Sequence, residues 1–317
     1  MLARFAQQNP NPRFSQIIAR LAAPLRVAVL GRDGVGCSTV AAALTASGAA
    51  VSDAAAADVH VVVIAEALKP EDRALLTTAE RVVAVLNKAD LTGLGHGGPL
   101  VRAHRRAAHC RAVTGVPTVP MIAMLATATL DEELMAALRL LVTEPAALTS
   151  TDAFGCCGHP LPPGLRRRLV ATLDRFGIAC AVLALAEGAD DAAVTTALRR
   201  ASQVDRVMAH IEAAGAPVRY RRLQSAITEL RALAVQSDDQ RLAELLSTDE
   251  TVLAVMAAAV DVVQAAGVSV DRGDDAAAHL GRAVHWRRYS RGPVSALHSN
   301  CGADIARGSL RLLGHLR

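Results

Sequence analysis

Three short valine-rich runs, each closed by glycine or polar residues and each followed by a helical stretch, constrain this chain most. They are Leu25–Leu30, Val59–Ile64 and Val82–Leu86. Runs this short and this uniformly apolar have no polar face to show to water, so they suit strands covered on both sides. Parallel neighbours need a crossover long enough to hold a helix, so strands alternating with helices predict a parallel α/β sheet. A first helix is expected over Cys37–Ser47, stopped by Gly48. A second should start at Pro70, where proline suits the first helical position and Glu71 and Asp72 suit the positive end of the dipole. A basic helix around Arg102–Arg111 should follow the glycine-rich stretch Gly93–Gly98. Thr118–Leu125 and Ile178–Leu185 read as further strands, with helices at Leu130–Val142, Leu165–Arg175 and Asp190–Arg200, and Pro145–Pro163 as a surface loop.

From Val204 the period changes. Val204, Val207, Met208 and Ile211 recur at helical spacing, as do Leu223, Ile227 and Leu230, and then Leu242, Leu245, Leu246, Val252, Leu253 and Met256. The predicted organisation is an N-terminal segment 1–23, an α/β domain 24–205 and an all-α C-terminal domain 206–317.

The loop Gly31-Arg32-Asp33-Gly34-Val35-Gly36-Cys37-Ser38-Thr39 joins the first strand to its helix. It has the glycine spacing and the hydroxyl of the phosphate-binding loop G-x-x-x-x-G-K-[ST]. Glycines let successive N–H groups turn inward around phosphate oxygens, and the helix N-terminus adds a favourable dipole. Ser38 holds the position whose hydroxyl would ligate Mg²⁺; Cys37 stands where lysine belongs. Asn87-Lys88-Ala89-Asp90, after a valine-rich strand, matches N-K-x-D. An Asp carboxylate there can accept from N1–H and the exocyclic amine of guanine together, a donor pair adenine lacks. Lys69 and Lys88 are the only lysines, the remaining strong bases all being arginine. A lysine kept in so arginine-biased a chain draws attention to this loop.

Loop, order and N-K-x-D together make residues 24 to 200 resemble P-loop GTPases of the translation-factor, Era and dynamin group. The resemblance implies a three-layer, mostly parallel G-domain-like sheet ahead of the all-α C-terminal domain. It implies a guanine nucleotide, GTP or GDP with Mg²⁺. Gly31, Gly34, Gly36, Cys37, Ser38 and Thr39 would line the phosphate end, and Asn87, Lys88 and Asp90 the base. The last base-contacting loop would fall at Ile122-Ala123-Met124, with Ala123 in place. It further implies a regulatory protein whose helical domain carries nucleotide state to a protein partner.

The sequence also departs from that pattern. Between Gly48 and Val59 there is no threonine for a Mg²⁺-binding switch and no room for an extra strand, and D-x-x-G is replaced by Ile64-Ala65-Glu66-Ala67. Nothing positions an attacking water in the family's way, so hydrolysis is expected to be slow or absent, and no catalytic residue is assigned. Glu66 is a candidate Mg²⁺ ligand beside Ser38, or a solvated loop acid. Lys69 is a candidate substitute for the lost lysine, or a surface residue. Cys37 either fills space or, at a helix N-terminus, becomes a reactive thiol. A scaffold that keeps the fold and binds no nucleotide is the alternative reading.

Net charge is +4 and aromatics make up 2% of the chain, which argues against a nucleic-acid partner. Met1–Pro12 has no signal-type apolar core, and no apolar run reaches about 18 residues without a charge, so neither a leader nor a membrane span is expected. Six cysteines at irregular spacing suggest reduced thiols and a cytoplasmic protein. Cys156, Cys157 and His159, and His104, His109 and Cys110, lack paired zinc spacing and read as surface groups. Near the C-terminus Arg282, Arg287, Arg288, Arg291, Arg307, Arg311 and Arg317 gather around Trp286 and Tyr289, with Asp304 the one acid. Such a basic amphipathic tail can touch anionic lipid peripherally, or pack back on the body.

Overall fold

The computed structural model describes residues 5–7, 11–93, 96–156 and 158–316. Cys157, Arg317, Gln8–Pro10 and part of the glycine-rich stretch lie outside the described residues. The chain divides into two compact units, residues 25–211 and residues 1–24 with 212–317.

The first unit is built on a five-stranded sheet with β1 Arg26–Gly31, β2 Ala50–Val51, β3 Val59–Ala65, β4 Val82–Asn87 and β5 Thr118–Pro120. Strand order is β2-β1-β3-β4-β5 and every pair is parallel. The α/β reading and its parallel sheet therefore hold. Central β3 and β4 are buried almost throughout, as valine runs without a polar face require. In register, Gly31 lies beside Val63 and Ala65 beside Asn87, so β1, β3 and β4 end along one edge. The phosphate-type loop and N-K-x-D both leave the sheet there.

Four local expectations fail. A strand does fit between Gly48 and Val59, because β2 needs only two residues, paired to Arg26 and Val27 of β1. The strand expected over Thr118–Leu125 stops at Pro120 and becomes the helical turn Ala123–Ala126. Ile178–Leu185 is not a strand but the second half of the helix Pro163–Ala186. A short apolar run is ambiguous by periodicity, and here its alanines favour helix. That helix is long and apolar enough by composition to cross a membrane. In this unit it buries Leu169, Leu173, Ile178 and Ala181 in the core beside β3 and β4. It is interrupted at Asp174, where φ is 50° and ψ 178°, a conformation almost confined to glycine. The loop 145–163 holds a further helix, Thr151–Cys156.

The second unit is helical. Pro12–Ala22 packs Phe14 and Ile17 against Ala226, Leu230 and Leu242. A second core joins Tyr220, Val255, Val262, Trp286, Cys301 and Ile305. The basic region is a pair of packed helices, Ala276–Tyr289 and Ala296–His315, rather than a free tail. Trp286 is 1% exposed with its ring 4.9 Å from that of Tyr289, so these aromatics serve the core. Arg282 is buried; its Nε donates to Ser309 Oγ at 3.0 Å and Nη1 to the Asp271 carbonyl at 2.8 Å. Asp304 accepts from Tyr220 Oη at 2.7 Å and pairs with Arg307. Burial, then the Asp304 contact, raises the Tyr220 phenol, and burial pushes the Cys301 thiol up to about 11. Arg287, Arg288 and Arg291 stay exposed.

Candidate functional site

β1 delivers Gly31 to the sheet edge, and the chain turns through Gly34 and Gly36 before entering the helix Cys37–Ala46. Both glycines have left-handed backbone, with φ of 81° and 92°. Gly36 is required twice over: it caps the helix in that conformation, and a Cβ there would lie 2.5 Å from Nδ2 of Asn87. The second turn of chain comes from β4. Asn87 ends that strand, buried, and its side chain ties three loops. Its Nδ2 donates to the Val35 carbonyl at 3.0 Å, and its Oδ1 accepts from the Ala123 amide at 3.2 Å. Lys88, itself left-handed at φ 55°, sends Nζ to the Gly34 carbonyl at 2.8 Å. The residues singled out at 31–39, 87–88 and 123 therefore converge on one edge of the sheet.

Asp90 follows on the 3-10 turn Ala89–Thr92, half-buried. Burial holds its carboxyl above the usual carboxylate range; Asp174 adds to the rise, while Arg175 and Lys88 oppose it. Asp174, which accepts from the Arg175 amide at 2.6 Å, thus belongs electrostatically to the same end. Sequence reading passed over it, since a lone Asp-Arg pair in an apolar helix carries no motif.

At the other end, Ser38 is exposed and Thr39 half-buried in the first turn of their helix. Glu66 lies just past β3, exposed, with φ 61°. Among the described residues no hydrogen bond or ion pair joins its carboxylate to Ser38, and only its carbonyl is engaged, by Arg106 at 3.2 Å. Cys37 turns its sulfur back onto β1: a Cβ at Gly31 would lie 2.7 Å from Sγ. Burial, reinforced by Asp33, pushes its thiol up, which favours the space-filling reading of Cys37 over the reactive one. Asp72, read from sequence as a helix-start acid, points inward. It is fully buried, accepting from Arg32 Nε at 2.8 Å and from the Lys69 amide at 2.9 Å. An acid at the third position of a helix is the signal for such an inward cap.

Among the described residues no cluster of three or more His, Cys, Asp or Glu is placed to hold a metal ion. His159 uses both ring nitrogens, on the Glu144 carbonyl at 2.7 Å and the Leu161 amide at 3.1 Å. His104 faces Arg206 at 3.2 Å, and Cys110 is buried.

No family model matches the chain, and no curated protein or solved structure matches it.

Proposed function

We propose that this chain is a guanine-nucleotide-binding protein of the P-loop GTPase type, regulatory, with slow or absent intrinsic hydrolysis. The observation that carries this reading is the bridge made by Asn87. One buried amide holds the phosphate-type loop at Val35 and the Ala123 loop in fixed relation to Asp90, as a base-reading loop requires. GTP or GDP would place its phosphates at Gly31, Gly34, Gly36, Ser38 and Thr39 and its base at Asp90. Ser38 and Glu66 are the groups present for Mg²⁺, and both are exposed. Cys37 supplies no charge for the phosphates. The helical unit would carry nucleotide state to a protein partner.

The scaffold alternative draws on a different observation. Lys88 and Asn87 each bond to main-chain groups of the neighbouring loops, so the chain itself ties these loops together. Isothermal titration with GDP and ADP separates the two. Binding of GDP in preference to ADP supports the nucleotide reading, and no heat with either supports the scaffold.

A further inference from the structure

The two ends of this site differ in charge. At the base end Asp90 offers an acceptor suited to a neutral base with two donors. At the phosphate end the cationic position is Cys37, whose sulfur packs against Gly31. Two cations of these loops are already engaged. Arg32 is held by buried Asp72 at 2.8 Å, with Glu71 and Glu66 close enough to add to the negative field around it. Lys88 is held on the Gly34 carbonyl at 2.8 Å. Asp33 is the exposed charge of the loop itself. What the loop 31–39 itself offers a phosphate is a set of neutral backbone N–H groups beside the Asp33 carboxylate. Each added phosphate oxygen therefore gains dipoles and meets a like charge, two effects of opposite sign.

We propose that this site selects a guanine nucleoside through its base and gains nothing from the polyphosphate, with Asp33 setting that indifference. The ligand class is then guanosine or its monophosphate as readily as the triphosphate. The inference rests on the base-reading part of the proposal above and replaces its phosphate part, since a phosphate-gripping loop would bind the nucleoside far more weakly than the triphosphate.

The test is titration calorimetry of the full chain with guanosine, GMP, GDP and GTP, with and without Mg²⁺, and with adenosine as base control. Without Mg²⁺ the four guanine ligands are expected within about tenfold of one another. Asp33→Asn should tighten GTP about fivefold and leave guanosine unchanged, the factor for one unit charge at about 4 Å in a water-like medium. Asp33 is exposed, so the variant is expected to fold, and circular dichroism checks that it does. GTP or GDP binding more than about tenfold tighter than guanosine, or only with Mg²⁺, overturns the proposal and leaves the guanine reading intact. An equal effect of Asp33→Asn on guanosine and GTP overturns the role given to Asp33. No binding of any guanine ligand, or adenosine equal to guanosine, overturns the guanine reading itself.

Discussion

The side-chain amide of Asn87 donates to the main-chain carbonyl of Val35 at 3.0 Å, across 52 residues of sequence. The pair lies at the edge where β1 and β4 end, and the same side chain accepts from Ala123. The closeness also explains Gly36, since a side chain there would displace the amide. One residue thus fixes the spacing of three loops.

Asn87→Ala leaves the Val35 carbonyl and the Ala123 amide without their partner in a buried place. Each such loss costs about 1–3 kcal/mol, so the variant should unfold at clearly lower denaturant than the wild type. Urea unfolding curves that coincide would show that the bridge contributes nothing.

Base choice should follow Asp90. As a carboxylate it only accepts; Asp90→Asn puts a donor opposite a guanine donor and suits the carbonyl that xanthine carries instead. A mismatched buried polar group costs about 1–3 kcal/mol, so preference should move by one to two decades. Competition between GDP and XDP measures it. A mutant that still prefers GDP would mean the N-K-x-D match is fortuitous.

Acid should weaken guanine binding earlier than an ordinary aspartate would allow. Burial and then Asp174 raise the Asp90 carboxyl. A raised value means the proton is taken up at higher pH, so the acceptor pair is lost as pH falls through that value, above the usual ~3.9. Guanosine affinity followed downward from pH 7 should decline at a higher pH in the wild type than in Asp174→Asn, because one raising charge is gone from the variant. A decline at the same pH in both proteins contradicts the assignment.

Cys37→Lys should tighten GTP by roughly 1.5–3 kcal/mol through a charge-assisted contact, and tighten guanosine by much less. Equal gains for both would place the phosphates elsewhere. Neither protein should release phosphate faster than about 1 s⁻¹ alone, since the sequence carries neither a switch threonine between Gly48 and Val59 nor D-x-x-G after β3. Single-turnover phosphate release checks this.

The parallel sheet was legible because short, uniformly apolar valine runs have no face to turn to water. The site's two loops were legible because glycine and N-K-x-D spacing specify backbone shapes and donor patterns within a few consecutive residues. The helix Pro163–Ala186 was half missed, because an eight-residue apolar run satisfies a buried strand and a buried helix equally. Only packing against β3 and β4 decides between them. Burial likewise decided that Asp72 turns inward to Arg32 and that the Cys37 thiol is pushed up. Asp174 acts on the charge of Asp90 only in the folded chain. Local sequence dictates which backbone shapes and hydrogen-bond patterns a segment can adopt. Which charges stand next to one another, and how dry their surroundings are, depends on residues distant in the chain, and only the tertiary structure brings those together.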